Sequence, residues 1–192
     1  RIDLEMNSIT VCGREIGSGQ RPWIIAELGI NHDGNPDTAV ALVNAAAEAG
    51  ADAVKLQVFE PSQFISRQSP YIDIFNNATI DKPTIEQLIA AAAEANICLF
   101  PTVFDEGSAD LCASLSVPAM KIASGDLTHI PLIRHVANIG LPMLLSTGGG
   151  KMGEIATALD AIYDVLPQAE VGLFHCVSNY PTNPEDANLA CI

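Results

Sequence analysis

Apolar runs and helical segments alternate along this chain, and the alternation repeats six times. The runs are apolar throughout, without the period of two that marks a half-exposed strand, so we expect strands that are covered on both faces. Successive strands with a helix between them are joined as parallel neighbours through right-handed crossovers. The sequence therefore predicts an α/β protein with a parallel sheet. The predicted strands are residues 22–27, 51–59, 97–104, 117–124, 141–147 and 171–177.

Helix punctuation supports the same division. The sequence Asn35-Pro36-Asp37 offers a cap, a proline at the first helical position and an acid in the first turn. A polar loop is predicted to run from the second strand to about residue 83. Thr84 with Gln87 then matches a capping box. The last helix is predicted over residues 183–192.

Two architectures fit this pattern, an open doubly wound sheet and a (β/α)₈ TIM barrel. Polar residues follow almost every apolar run, and barrel enzymes build their sites from that rim. No G-x-G-x-x-G turn follows the first strand, which argues against the doubly wound sheet. A full barrel has eight units and typically ~250 residues. Residues 1–192 are therefore predicted to be one incomplete barrel domain with about six βα units.

Composition excludes several classes of protein. The chain has 23 acidic against 9 basic residues and a net charge of −14, which argues against a nucleic-acid partner. No apolar run approaches the roughly 18 residues of a membrane span, and residues 1–17 lack the pattern of a signal peptide. We therefore expect a cytoplasmic protein without a membrane partner. The five cysteines are scattered, without a C-x-x-C pair, so buried and reduced thiols are expected.

Two of the four lysines, Lys55 and Lys121, lie near the ends of predicted strands. A buried ammonium group must be paired or must bind an anion, because desolvating it alone costs several kcal/mol. Internal ion pairs with Glu27 or Asp126 are one possibility. The other is an anion site, because Ser124-Gly125 and the turn 146–150 offer hydroxyl and backbone N–H groups that can cradle a phosphate. Together with Thr102, these groups favour a small phosphorylated anion.

Other polar residues near strand ends are less specific. Glu27 could act in acid–base chemistry or pair with Lys55. His175 has no second ligand at metal spacing, so a hydrogen-bonded core histidine is expected. Nothing in the sequence marks Cys176 as a nucleophile.

Six stretches of the chain resemble the catalytic barrel of the sialic acid synthases, that is, N-acetylneuraminate synthase and its relatives. They occur in family order across nearly the whole chain. They are IIAELGINHDGN (24–35), AGADAVKLQVF (49–59), FPTVFDEGSADL (100–111), VPAMKIASGDLTHIPLI (117–133), LPMLLSTGG (141–149) and LFHCVSNYPTNPEDANL (173–189).

The resemblance implies an enzyme that condenses phosphoenolpyruvate with an N-acylated hexosamine such as N-acetylmannosamine, with release of phosphate by C–O cleavage. It implies that Glu27 is catalytic and that Gln57 and Tyr180 line the sugar. Ser178 stands in the turn where some members carry Asn. The residues that match family positions holding phosphoenolpyruvate, or that complete its turn, are Lys55, Thr102, Lys121, Ser124, Ser146, Thr147 and Gly148.

The resemblance also implies a divalent metal, Mn²⁺ or Mg²⁺, bound by two histidines near strands seven and eight. A C-terminal antifreeze-like domain would give an arginine to the neighbouring subunit of a homodimer. None of these parts is found up to residue 192, so we expect the metal ligands to lie beyond this chain.

Several alternatives remain open from the sequence. The acceptor sugar could be that of a legionaminic acid, pseudaminic acid or spore-coat polysaccharide synthase. A barrel aldolase that forms a lysine Schiff base is a second enzyme hypothesis. A barrel fragment that binds an anion without turnover is the non-enzymatic one.

Overall fold

The computed structural model describes residues 8–191, which form strands β1–β8 and helices α1–α7. The strands are β1 Ser8–Val11, β2 Arg14–Gly17, β3 Ile25–Gly29, β4 Ala53–Val58, β5 Cys98–Val103, β6 Met120–Ile122, β7 Met143–Ser146 and β8 Val171–Phe174. The α-helices are α1 Pro36–Glu48, α2 Pro61–Phe64, α3 Ile72–Asn77, α4 Lys82–Glu94, α5 Glu106–Ser114, α6 Ile130–Ile139 and α7 Met152–Val165. Short 3₁₀ helices are Ser124–Asp126 and Leu189–Cys191.

Strands β3 to β8 form one six-stranded sheet in the order of the sequence. All five strand pairs are parallel. Helices α1, α4, α5, α6 and α7 connect successive strands. A strand order without reversal is that of six consecutive strands of a (β/α)₈ barrel, whereas a doubly wound sheet reverses its order at a switch point. The barrel prediction is therefore confirmed.

The two faces of the sheet pack into two separate cores. Along β4, Val54 and Leu56 pack outward in the cluster that also contains Leu88 of α4. Ala53, on the opposite face, packs in a second cluster inside the barrel. Successive side chains of a strand point to opposite faces, so Lys55 and Gln57 share the inner face with Ala53. Burial on both faces explains the continuous apolar runs.

An N-terminal hairpin that the sequence did not predict contributes to the inner core. Strands β1 and β2 pair antiparallel, and the turn residues Cys12 and Gly13 both have positive φ, as a two-residue type I′ hairpin requires. Ile9 and Val11 of β1 are buried in the inner cluster with Phe100. The hairpin therefore supplies apolar side chains to the barrel interior.

The expectation of buried, reduced cysteines is fully met only by Cys112, because two of the five are paired and two of the free ones are not buried. Cys12 and Cys98 form a disulfide that joins the hairpin turn to the start of β5. Of the free thiols, Cys112 is buried, Cys176 is partly exposed and Cys191 is exposed. The pairing depends on where the hairpin docks, and spacing along the sequence carries no information about that.

We expect the disulfide to stabilise the protein. The two cysteines are 86 residues apart, and closing a loop of that size typically contributes about 2–4 kcal/mol to the free energy of unfolding. Reduction with dithiothreitol should lower the urea midpoint accordingly. Thiol titration of the denatured, unreduced protein should find the three free cysteines. Five reactive thiols would contradict the pairing.

The helices differ from the prediction in two places, the cap of α4 and the loop before it. Helix α4 is capped by Asp81, whose carboxylate accepts from the Thr84 amide at 3.0 Å and also from the Thr84 hydroxyl. Thr84 is therefore inside the helix and is not its cap. The loop before α4 also contains two short helices, α2 and α3.

The predicted last helix is also wrong, because its described part forms only the 3₁₀ turn Leu189–Cys191. Residues 183–191 are exposed apart from the partly buried Ala187, and a short helix depends on burial for its stability. Residues 1–7, part of the segment compared with signal peptides, and residue 192 lie outside the described residues. Among the helices of residues 8–191, none has both the length and the apolar composition needed to cross a bilayer.

Candidate active site

Nine of the eleven predicted site residues border one cavity of about 360 Å³. They come from six parallel strands or from the turns after them, so the cavity lies at the carboxyl ends of the strands. Thr147 and Gly148 do not border it. The nine residues are Glu27, Lys55, Gln57, Thr102, Lys121, Ser124, Ser146, Ser178 and Tyr180.

Strand register brings these side chains together. Gln57 is the register partner of Thr102, and Thr102 is the partner of Lys121. Partners in a parallel pair lie side by side and point to the same face. Lys55 and Lys121, 66 positions apart in the sequence, thus border the same cavity.

Lys55 already has two polar partners. Its Nζ lies 2.6 Å from Oε2 of Glu27 and donates to Oγ1 of Thr102 at 2.9 Å. Lys55 is only 7% exposed, so these contacts offset its desolvation. The ion pair with Glu27, one of the two possibilities from the sequence, is therefore present, and Lys55 still borders the cavity.

Lys121 is different, because no carboxylate in residues 8–191 lies within ion-pair distance of it. Its Nζ has a long contact of 3.5 Å with the Ile122 carbonyl oxygen and lies 5.8 Å from the Phe174 ring centroid. Burial and, secondarily, the positive charge of Lys55 lower the pKa of Lys121 to about 8. The ion pair with Asp126, which the sequence left as one possibility, does not form. Lys121 therefore brings to the cavity a positive charge that has no ion-pair partner in this part of the chain.

The turn after β7 is held by its own hydrogen bonds. The Gly148 amide donates to Oγ of Ser124 at 3.1 Å, and the Thr147 hydroxyl donates to the Phe174 carbonyl oxygen at 2.8 Å. A Cβ at Gly148 would lie 2.9 Å from the hydroxyl oxygens of Ser124 and Ser178, so only glycine fits there without a shift. Thr147 and Gly148 thus support the wall of the site through Ser124 and Phe174, which do border the cavity.

Ser146 is the last residue of β7 and directly precedes this turn. It is 3% exposed and borders the cavity, and within the described part of the chain its hydroxyl makes no hydrogen bond. A buried hydroxyl without a partner costs free energy unless a ligand or water satisfies it. Ser146 is therefore suited to donate to a bound anion.

The rim of the cavity is open to solvent. Tyr180 is 97% exposed, and the Glu27 side chain is 48% exposed.

His175 is also exposed, and its Nε2 contacts the Ala187 carbonyl oxygen at 3.0 Å. The expected hydrogen bond of His175 exists, but the prediction that it is a core residue is wrong.

Sequence reasoning missed three notable residues of the cavity wall, Phe104, Phe174 and Cys176. For two of them a signal existed. Gly172 pairs with Leu144, which belongs to the inner core. Alternate residues of a strand share a face, so Phe174 also points into the barrel. The same alternation, continued past the end of β8, places Cys176 on that face.

A second cavity of about 650 Å³ lies at the same end of the barrel and shares Phe104 with the first. Its wall carries the carboxylates of Glu60, Asp105 and Glu106 and no lysine or arginine. Such a lining repels anions. The smaller cavity with its two lysines is therefore the candidate anion site.

The expected divalent metal has no evident site in residues 8–191, where no group of three His, Cys, Asp or Glu side chains is arranged to bind one. The side chains of the smaller cavity therefore do not fit a metal centre by themselves, and no step below depends on one.

Anion binding should depend on pH through Lys121. Sulfate is a suitable probe because it stays a dianion from pH 6 to 10. Below pH about 8 the free Lys121 is already an ammonium ion, so affinity should be constant. Above that pH binding must be accompanied by proton uptake, and affinity should fall up to tenfold per pH unit. Calorimetry checks this, and a flat profile above pH 8 would contradict the assignment.

Comparison with known proteins agrees with this architecture. The sequence model of the NeuB family matches residues 42–192. The spore coat polysaccharide biosynthesis protein SpsE of Bacillus subtilis is 37% identical over 97% of this chain and 53% of its own length. An N,N'-diacetyllegionaminic acid synthase of Legionella pneumophila is 34% identical over 90% of this chain and 53% of its own length.

A solved structure gives the same result. The N-acetylneuraminic acid synthetase of Leptospira borgpetersenii superposes with a TM-score of 0.91 at 32% identity, over 96% of this chain and 64% of that chain. The chain spans about half the length of the curated relatives it matches. Since the family match covers most of its residues and includes five of the six strands around the cavity, the chain belongs to the NeuB family.

Proposed function

We propose that this chain carries the phosphoenolpyruvate-binding part of a synthase that makes a nonulosonic, sialic-type acid from an N-acylated hexosamine. One observation carries the proposal: Lys121, which has no ion-pair partner among the described residues, borders a cavity that is also lined by hydroxyl groups. Family membership supports the same conclusion, since relatives are named as synthases of such acids.

In the proposed reaction, C3 of phosphoenolpyruvate attacks the aldehyde carbon of the open-chain sugar and forms the new C–C bond. Water then adds at C2, the bond between C2 and the phosphate oxygen breaks, and phosphate leaves with the bonding electrons. Lys55, Lys121 and Ser146 would hold the anionic groups of the enol ester. Preorganised charges of this kind stabilise phosphate as negative charge builds on it.

Glu27 would act beside the reacting carbon atoms. Its carboxylate is fixed by Lys55 yet half-exposed toward the cavity, so it can accept a proton from water or orient a sugar hydroxyl. Gln57, Ser178 and Tyr180 lie where an acceptor would meet the enol ester, and we propose that they contact the sugar.

Other parts of the proposal rest on the resemblance alone. They are a divalent metal, Mn²⁺ or Mg²⁺, with ligands outside the described residues, a barrel completed by further strands, a C-terminal antifreeze-like domain, a homodimer and a cytoplasmic location. The acceptor remains open among the sugars used by N-acetylneuraminate, legionaminic acid, pseudaminic acid and spore-coat synthases.

The test is phosphate release by the complete gene product with phosphoenolpyruvate and Mn²⁺, with N-acetylmannosamine and the legionaminic and pseudaminic precursors supplied in turn. Release that requires one sugar, with a matching nonulosonic acid by mass spectrometry, would support the proposal. Thermal stabilisation by phosphoenolpyruvate without release for any sugar would favour the non-catalytic anion-binding alternative.

A second candidate, an aldolase that forms a Schiff base, is favoured by one observation. A lysine whose pKa is about 8 is partly neutral at physiological pH, as imine formation requires. Borohydride with pyruvate would trap a stable adduct on Lys121 only in that case. A synthase should show no adduct.

A further inference from the structure

Cys176 borders the anion cavity, and neither the proposed reaction nor the family match gives it a role. It lies on the chain after β8, two residues beyond Phe174, and its thiol is free and partly exposed. Its Cβ packs against the turn after β7, since a Cβ placed on Gly148 would lie 3.1 Å from it. A nucleophilic atom thus borders the same cavity as Lys121.

The cavity around this thiol is suited to an anionic ligand, independently of the cysteine. Ser146, 3% exposed, borders the same cavity without a hydrogen-bond partner among residues 8–191. Lys55 and Lys121 supply the cations. Glu27 lies on the same wall, so the two lysines leave the cavity an excess of one positive charge. A cleft with such an excess raises the local concentration of an oppositely charged small molecule and speeds its entry.

We propose that Cys176 is a modification site for small carboxylate-bearing electrophiles, which the two lysines draw into the cavity and which exclude the natural anion once attached. The inference rests on the anion-binding part of the proposed function and is independent of the condensation step. It makes the synthase site sensitive to anionic alkylating agents.

The covalent step is a simple displacement. With iodoacetate as the probe, the ionised Sγ of Cys176 attacks the methylene carbon, the C–S bond forms as the C–I bond breaks, and iodide leaves with the bonding electron pair. The thiol proton has passed to solvent beforehand. The carboxymethyl group that remains carries a negative charge beside Lys121 and occupies space that the ligand needs.

The other two free thiols serve as controls within the same chain. Cys112 is buried, and burial raises its thiol pKa to about 12, so it should stay unmodified in the folded protein. Cys191 is exposed and lies outside the cavity, and its Sγ accepts a hydrogen bond from the side-chain Nδ2 of Asn188 at 3.0 Å. It should react without any preference for an anionic reagent.

The experiment compares iodoacetate with its neutral analogue iodoacetamide, with peptide mapping by mass spectrometry at limiting reagent. The ratio of the Cys176 rate to the Cys191 rate should be about tenfold or more higher for iodoacetate than for iodoacetamide. Sulfate at ten times its dissociation constant should slow the Cys176 reaction about tenfold without affecting Cys191. Lys121→Met should remove the preference for the anion.

Two negative outcomes are distinguishable. If calorimetry shows sulfate binding but the ratio of the Cys176 rate to the Cys191 rate is the same for iodoacetate and iodoacetamide, the modification site is wrong and the anion site stands. If sulfate neither binds nor protects, both this inference and the proposed phosphoenolpyruvate site are overturned.

Discussion

Lys121→Met should weaken binding of sulfate or phosphoenolpyruvate by roughly 30-fold to several thousand-fold. Removing one member of a desolvated charge pair typically costs about 2–5 kcal/mol, and each 1.4 kcal/mol is tenfold in affinity. Methionine keeps most of the length and apolar surface of the lysine. The loss should therefore report the charge and leave packing against Phe174 nearly intact.

Lys121 should matter more than Lys55 for anion binding. The charge of Lys55 is offset by Glu27 at 2.6 Å before any ligand arrives. Lys121 has no such partner in the described part of the chain, so no carboxylate at ion-pair distance competes with the ligand for it.

Lys151→Met is the matched control. Lys151 is exposed, follows β7 on the same rim and does not border the cavity. Calorimetric titration with sulfate should give unchanged affinity for this variant. Equal losses for Lys121→Met and Lys151→Met would mean that net charge alone drives binding, and the assigned site would be rejected.

The sequence predicted the barrel because that fold depends on a pattern that repeats locally. Each strand is a continuous apolar run, and each helix that packs on it carries its own start or stop signal. The polar residues at strand ends were predictable as a group for the same reason, since parallel strands carry their carboxyl ends to one rim.

The features that were missed depend on docking between distant segments. Cys12 meets Cys98 only because the hairpin enters the barrel interior, and β1 and β2 have no helix between them, so they fall outside the repeated strand-and-helix pattern. The difference between Lys55 and Lys121 likewise depends on which one Glu27 reaches. Register partners within the sheet decide that, and composition at each strand end does not reveal it.

Shortening a large side chain in the inner core of the barrel should strongly lower the free energy of unfolding. Phe100 is completely buried in the inner cluster. It is the register partner of Lys55 and lies two positions before Thr102 on β5. Phe100→Ala should lower the free energy of unfolding by about 3–5 kcal/mol, since it removes a large ring from a close-packed interior. Phe100→Leu, which keeps most of the volume, should lose less than half as much.

The same substitution tests whether the N-terminal hairpin is part of that interior. Ile9 of β1 is 7% exposed and belongs to the same inner cluster as Phe100, so the two side chains should be energetically coupled. In a double-mutant cycle, Ile9→Ala and Phe100→Ala should be non-additive by about 0.5–3 kcal/mol. Urea unfolding followed by circular dichroism gives the three differences, and fluorescence of the single tryptophan, Trp23, provides a second probe.

Additive losses in this cycle would mean that the hairpin lies on the barrel without closing it. Water would then reach the barrel interior, where Phe100, the register partner of Lys55, packs in one cluster with Ile9 and Val11 of the hairpin. Water reaching Lys55 and Lys121 would raise the local dielectric and weaken every charge interaction in the site. The coupling energy between Ile9 and Phe100 therefore bears on anion affinity as well as on stability. If the hairpin keeps the barrel interior dry, Ile9→Ala alone should reduce sulfate binding, although Ile9 does not border the cavity.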